Sequence, residues 1–326
     1  MKFYFVLFIL SFIATYIARA IALKMNVVDV PGRRSSHKVP TPRGGGIAFV
    51  SSWFIGIIYE HLFWNSMPDE LFRALMAGII IVIIGLVDDV WNVKPGIRLI
   101  VQVLAALLGI YFLGGLQKLD LGFMVIENIY ILSGLAVIGI IWAINLFNFI
   151  DGIDGYLGSE IVFIAIAISI ICLNSIVLLL GAVTLGFLIW NWQPAKIFMG
   201  DVGSTLLGFN IAILAIYFQN ADKSSLVIWL IITSVFWFDA TLTLLRRIRN
   251  REKLSQAHKK HAYQRIVQAG FSHQKTTLLA MAINILLGII AYISFKNGQL
   301  LLPGLLASII ILYVIVKLID RKKPFA

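Results

Sequence analysis

Asn145-Leu-Phe-Asn148-Phe-Ile-Asp151-Gly-Ile-Asp154-Gly155 closes a long apolar run, and its polar residues decide how the chain is read. Two amides and two carboxylates recur there at three-residue steps, so in a helix they wind slowly around one broad face. Gly152 and Gly155 then break the regular backbone and let the acids gather at a helix end. Ionised groups set against hydrocarbon cost about 2.5–3.5 kcal/mol each at a helix centre. Oxygens kept at that cost imply a ligand, and a divalent cation with phosphates at a membrane surface suits them.

The rest of the composition agrees. Of 326 residues, 60% are hydrophobic and 13% charged, with mean hydropathy +0.93. A soluble domain is about 45–50% apolar and about a quarter charged. The chain is therefore expected to be all-α, a polytopic helical bundle forming one integral-membrane domain over residues 1–326. Met1 to Leu23 has too long an apolar core for a signal peptide and only Lys2 as a basic leader, so it reads as a first span. The single Cys172 excludes an internal disulfide framework and reads as a core or lipid-facing residue. Apolar runs place spans at about 3–23, 46–64, 73–90, 99–116, 129–147, 158–173, 175–192, 204–220, 225–245, 276–295 and 301–319, about 11 helices.

A formal net charge of +11 invites a nucleic-acid reading. It is excluded because Lys and Arg sit in short connections between spans, where they set topology and form a basic face that attracts phosphates. Lys24, Arg33, Arg34, Lys38 and Arg43 follow the first span, Arg246 to Arg265 the ninth, and Arg321 to Lys323 the last. The intervening connections carry almost no positive charge. The N-terminus is thus expected outside and the C-terminus in the cytoplasm, and every polar motif then falls on the cytoplasmic side.

Those motifs each have a plain alternative. Arg33-Arg34-Ser35-Ser36-His37-Lys38 runs on through Pro40-Thr41-Pro42-Arg43 to Gly44-Gly45-Gly46. Three glycines before a helix let backbone N–H groups approach an anion, unless they are only a hinge after a topogenic loop. Asp88-Asp89 is followed by Lys94, Pro95, Gly96 and Arg98. Adjacent acids point about 100° apart on a helix, so both serve one site only where the helix ends; a solvated end is the alternative. Asp201, within Gly200-Asp201-Val202-Gly203-Ser204 and after Lys196, suits Mg²⁺, which keeps waters and takes phosphate oxygens; it also suits a helix N-cap. Asp239 lies seven residues before Arg246 and either pairs with it or lines a cleft. His258-Lys259-Lys260-His261 lacks a third zinc ligand and has lysines that repel a cation, so anion binding fits it better. His61 and His273 lack such neighbours and read as incidental.

Taken together, the Pro40–Gly46 loop, Asp88-Asp89, the Asn145–Gly155 stretch, Phe198-Met-Gly-Asp201-Val-Gly-Ser and His258–His261 resemble the polyprenyl-phosphate N-acetylhexosamine-1-phosphate transferases of glycosyltransferase family 4. That family is similar to the phospho-N-acetylmuramoyl-pentapeptide transferases. Order and spacing match across nearly the whole chain. The resemblance implies that undecaprenyl phosphate attacks the sugar-proximal phosphorus of a UDP-N-acetylated sugar, releasing UMP. It implies Mg²⁺, or Mn²⁺ in its place, with Asn148 and Asp201 at the ligand positions. It assigns Asp88 and Asp89 to the acidic pair that handles the lipid phosphate, and Asp151 and Asp154 to carboxylates near the nucleotide. Arg43, Lys94, Asn145, Lys196, His258, Lys259 and His261 are the candidate substrate contacts. Lys260 departs from the pattern, since many relatives carry histidine there. Residues 258–271 look most like the O-antigen branch, which implies the initiating step of a cell-surface polysaccharide at the bacterial inner membrane. Membrane lipid is a further expected partner, and a homodimer is left open. The rival classes are a transporter and a flippase of lipid-linked sugars; the first is disfavoured because the acids gather at helix ends on one face and no internal repeat is visible.

Overall fold

The computed structural model describes residues 2–31, 39–64, 67–91, 93–254, 256 and 258–325. The basic stretch Arg33–Lys38 lies outside them. Helices carry almost everything: α1 (Lys2–Lys24), α2 (Gly46–Tyr59, continued by one wider turn over Glu60–Trp64), α3 (Asp69–Met76), α4 (Gly78–Trp91), α5 (Pro95–Phe112), α6 (Ile129–Ile150) and α7 (Tyr156–Cys172). Then come α8 (Ile176–Asn191), α9 (Asp201–Asn220), α10 (Leu226–Ile232), α11 (Ser234–Arg249), α12 (Ala262–Gln268), α13 (His273–Lys296) and α14 (Leu301–Lys322). Two antiparallel ribbons complete the described chain, β1 (Val28–Asp29) with β2 (Thr41–Pro42) and β3 (Leu119–Asp120) with β4 (Val125–Ile126).

α9 is the axis of the bundle. Inside the protein it buries 89% of its most apolar window, against 22% to 50% in the seven other long apolar helices. It packs on α4 and α6 along most of its length and also meets α2, α3, α5 and α10. Small residues permit this: a Cβ on Gly208 would strike the Ala143 carbonyl of α6, and one on Gly203 would strike Met199 and Phe49. Close helix approach through small residues is how bundles hold together in lipid, where apolar burial alone gives no preference. The outer helices keep large apolar side chains such as Phe5, Ile100, Ile138 and Ile310 on their outward faces, as lipid contact requires.

Eight described helices are long and apolar enough to cross a membrane, or nine if α10 and α11 count as one span. The chain is a multi-pass membrane protein, all-α as its hydropathy indicates. The expected sixth and seventh spans are shorter helices of 17 and 16 residues, separated at Leu173, whose φ of 48° ends α7 in the left-handed region. The expected ninth span over about 225–245 is not continuous: α10 and α11 are bent by 77° at Thr233. The Thr233 hydroxyl donates to the Trp229 carbonyl, which also accepts from Thr233 N, and the Ser234 hydroxyl donates to the Ile231 carbonyl at the bend. At one end of the bundle, Asn220 Nδ2 donates to the Gly115 carbonyl and Ser225 to that of Asp120, tying together connections that lack the polar motifs. The motifs meet at the other end.

Candidate active site

The glycine loop and the Gly200–Ser204 segment dock backbone to backbone. Gly45 N donates to the Phe198 carbonyl at 2.9 Å, Gly46 N to Met199 at 2.8 Å, and Phe198 N to Pro42 at 2.8 Å. A Cβ on Gly46 would lie 2.7 Å from both Gly203 N and the Met199 oxygen, so only glycine allows this approach. This corrects the expectation that these N–H groups reach an anion: at Gly45 and Gly46 they are consumed internally. Their effect is to deliver Arg43, the residue before the glycines, onto the acids.

Arg43 Nη2 lies 2.8 Å from Asp89 Oδ1 and 3.1 Å from Asp201 Oδ1. Arg98 Nη1 lies 2.5 Å from Asp88 Oδ2 and 3.3 Å from Asp201 Oδ2. The second Asp88 oxygen accepts from Val93 N at 2.7 Å. Gly200, at φ 78°, brings Asp201 N within 3.3 Å of Asp89 Oδ1, and a Cβ there would meet Asp89 Oδ2 at 2.9 Å. Three carboxylates from two helix ends are thus held by two guanidinium groups, as the end of α4 and the start of α9 require when packed side by side.

Beside this cluster opens a cavity of about 330 Å³, lined by Arg43, Asn148, Asp151, Asp154 and Asp201 from the expected set, and by Asp29, Asn191, Gln264 and His273 besides. Asn148 donates to Ser204 Oγ at 3.0 Å, one turn along α9 from Asp201, so the two expected metal ligands share one wall. Asp151 follows α6; burial and the Asp201 charge push its carboxyl up to about 7 against the pull of Arg43. Asp154 Oδ2 accepts from Ala195 N at 3.1 Å. His273 Nδ1 lies 3.3 Å from both Asp154 N and Asp154 Oδ1, and its tautomer decides which contact is a hydrogen bond. His273 is therefore not incidental. Asn191 accepts from Gly155 N and donates to the Ile197 carbonyl, both at 3.0 Å, fixing the turn that follows Asp154.

The other expected contacts do not line the cavity. Asp88 and Asp89 stand behind Asp201. Asn145 exchanges hydrogen bonds with Gln102 of α5, at 2.8 Å and 3.4 Å. Lys94 is exposed ahead of α5. Lys196 is exposed over the Trp190 ring at 5.3 Å. The Lys259 carbonyl accepts from Gln268 Nε2 at 2.7 Å. His261 is 4% exposed and sits 3.7 Å from Asp239, which also accepts from Ala262 N at 2.8 Å and Tyr263 N at 3.4 Å. Asp239 thus caps α12 rather than pairing with Arg246, whose partner is Asp320 at 3.0 and 2.8 Å. Burial and the neighbouring His261 and Arg247 lower His258 to about 4. Arg98 has the opposite history: a residue noted only as following the acidic pair proves to join two of the acids.

Among the described residues no group of three or more His, Cys, Asp or Glu is placed to hold a metal ion by itself. The donor set fits a cation of the Mg²⁺ kind, which is bound through one or two carboxylates and keeps waters for substrate oxygens. Asp201 and Asn148 give oxygens on the cavity wall, and Asp89 Oδ2 is a buried oxygen with no hydrogen-bond partner beside them.

Comparison with known proteins places this geometry. Residues 71–219 match the sequence model of glycosyl transferase family 4, a span that includes Asp88-Asp89, the Asn145–Gly155 stretch and Asp201. The chain is 32% identical to a "probable undecaprenyl-phosphate N-acetylglucosaminyl 1-phosphate transferase" of Bacillus subtilis, over 96% of this chain and 91% of that one. It is 30% identical to the decaprenyl-phosphate N-acetylglucosaminephosphotransferase of Mycobacterium leprae, over 87% and 80%. It is 31% identical to the undecaprenyl-phosphate alpha-N-acetylglucosaminyl 1-phosphate transferase of Yersinia pestis, over 88% and 82%.

Proposed function

Because the chain belongs to glycosyl transferase family 4, among the polyprenyl-phosphate N-acetylhexosamine-1-phosphate transferases, we propose that it transfers N-acetylglucosamine 1-phosphate from UDP-N-acetylglucosamine to undecaprenyl phosphate, releasing UMP. The observation that carries the proposal is the cavity at one end of a lipid-exposed bundle, where Arg43, Asn148, Asp151, Asp154 and Asp201 face the same space. The relatives' names support the acceptor and the sugar. The basic connections, by the positive-inside rule, support a cytoplasmic site in the inner membrane. Initiation of a cell-surface polysaccharide follows as the use of such a product.

In the reaction a lipid phosphate oxygen forms a bond to the sugar-proximal phosphorus, and the bond from that phosphorus to the bridging oxygen breaks, its electron pair leaving on UMP. A phosphate monoester has a second pKa near 6, so at pH 7 the attacking oxygen is already largely ionised. No general base is obligatory, and Asp88, with both oxygens engaged by Arg98 and Val93 N, is better suited to orienting than to accepting a proton. Phosphoryl transfer needs in-line positioning and charge neutralisation. Arg43 and Arg98 are the fixed positive groups at the cluster, and they hold Asp201 in place from two sides. Asp201 and Asn148 would hold Mg²⁺, which when bound would supply positive charge against the negative charge that develops on the diphosphate. The raised carboxyl of Asp151 favours its protonated form, which lessens repulsion among the cavity's acids. Asp154 and Asn191 fix the turn at the cavity wall.

The test is UMP release from membranes given undecaprenyl phosphate, Mg²⁺ and a panel of UDP-sugars. Release with UDP-N-acetylglucosamine above the other donors is the expected result. Release with none of them, from protein shown to be inserted, rejects the proposal in favour of a transporter or flippase.

A further inference from the structure

Lys260 breaks the histidine motif with a cation, and its side chain leaves the cavity for the segment that follows α14. Its ammonium donates to Glu252 Oε1 at 2.8 Å and stands 5.5 Å from the centre of the Phe325 ring. The guanidinium carbons of Arg246 and Arg265 lie 5.2 Å and 5.5 Å from the same centre, so three cations share one ring. Asp320 joins two of them from α14: both Arg246 nitrogens reach its carboxylate, and Arg265 Nη1 is 2.6 Å from Oδ1. Arg265 also donates to the Lys323 carbonyl at 2.9 Å and is only 3% exposed. Arg265 belongs to α12, whose Gln264 lines the cavity and whose Tyr263 hydroxyl donates to the Phe149 carbonyl, two residues before Asp151. A chain of bonds therefore runs from the end of α14, through Lys260 and Arg265, to the cavity wall.

We propose that Asp320 and Phe325 are positioning residues for the transferase reaction: they hold Lys260 and α12 so that Gln264, on the cavity wall, meets the nucleotide-sugar in one orientation. The cluster brings four cations, Arg246, Arg247, Lys260 and Arg265, against the two carboxylates of Asp320 and Glu252, and the ring face takes up part of the excess through its quadrupole. Without the ring, Lys260 keeps only Glu252 and the loop gains alternative arrangements. The role rests on the transferase reading given above, and it explains why a lysine is useful where the family pattern has histidine: an ammonium engages the ring from the motif side.

The test uses the purified full chain with Phe325→Ala, Phe325→Trp, Lys260→Gln and the Phe325→Ala/Lys260→Gln pair. KM for UDP-N-acetylglucosamine, KM for undecaprenyl phosphate, kcat and Tm are measured for each. Phe325→Ala is expected to raise the nucleotide-sugar KM about three- to fivefold, the scale of one cation–π contact, with the lipid KM and kcat held. Phe325→Trp is expected to restore it, and in the Lys260→Gln background Phe325→Ala is expected to add less than it does alone, because part of its effect runs through Lys260 and the rest through Arg246 and Arg265. An active parent with an indifferent Phe325→Ala overturns this proposal alone. So does a parallel loss in every constant that follows a lowered Tm, or independent multiplication of the two single effects. A parent that releases no UMP takes the transferase reading down with it.

Discussion

Removing the Arg43 side chain is the sharpest perturbation of the carboxylate cluster. Arg43→Ala deletes two ion pairs, at 2.8 Å to Asp89 and 3.1 Å to Asp201, whose side chains are only 13% and 20% exposed. Breaking a fully buried pair by removing one partner costs about 3–5 kcal/mol, and a surface pair is worth about 0–1 kcal/mol. Arg43 is itself 40% exposed, so water replaces part of what it offers and the expected loss of stability falls to about 1–3 kcal/mol. Asp201 keeps Arg98, but Asp89 loses its only cation contact among the described ion pairs. The assay is thermal unfolding of the detergent-solubilised chain with and without Mg²⁺, alongside UMP release. Arg43→Ala is expected to melt earlier than the parent, to recover part of the difference as Mg²⁺ is raised, and to lose turnover by tenfold or more. A variant that melts and turns over like the parent would refute the view that Arg43 holds the acids together. Destabilisation that Mg²⁺ leaves untouched would refute the view that the cluster accepts a cation.

Gly46→Ala places a methyl group 2.7 Å from two backbone atoms of the Met199–Gly203 segment, so it is expected to cost about 1–3 kcal/mol in Tm scans and to reduce activity while leaving the rest of the bundle folded. For Asp151, the raised carboxyl pKa makes the protonated form the one that folding favours. Its contribution is present at low pH and is lost as pH rises from the ordinary carboxylate range through about 7. Asp151→Asn is expected to flatten that fall in a series of melting curves without Mg²⁺; an unchanged pH slope would reject the assignment. Asp88→Asn leaves an oxygen for one of the two bonds Asp88 now accepts, so turnover is expected to fall several-fold with the shape of its pH profile kept. Loss of an alkaline or acidic limb in that profile would instead establish a proton-transfer role.

The helices were legible because hydrocarbon demands long apolar runs, and Ile129–Ile150 or His273–Lys296 can be little else. The bend at Thr233 was not, since α10 and α11 are one apolar run and nothing in its hydropathy marks where the hydroxyls of Thr233 and Ser234 meet the last carbonyls of α10. Short-range motif reading found Asp151, Asp154, Asn148 and Asp201, which share a cavity because α6 and α9 pack together. It misread the glycines at Gly45 and Gly46, whose smallness serves a backbone docking partner more than 150 residues away by number. His273 carried no local signal because its partner Asp154 is 119 residues distant. The seven-residue step from Asp239 to Arg246 pointed to a pair, yet Arg246 found Asp320, 74 residues on, and Asp239 found the start of α12. Spacing reports what a single helix brings together, and these contacts are made by the packing of several.

The central claim is that Asn148 and Asp201 present oxygens to one divalent cation. Mn²⁺ binding, followed by electron paramagnetic resonance on the solubilised chain without substrates, tests it without relying on turnover. The parent is expected to bind about one Mn²⁺ competed by Mg²⁺, with Asp201→Asn abolishing the signal and Asn148→Ala weakening it, while both variants insert normally. Undiminished Mn²⁺ binding in Asp201→Asn would contradict the account.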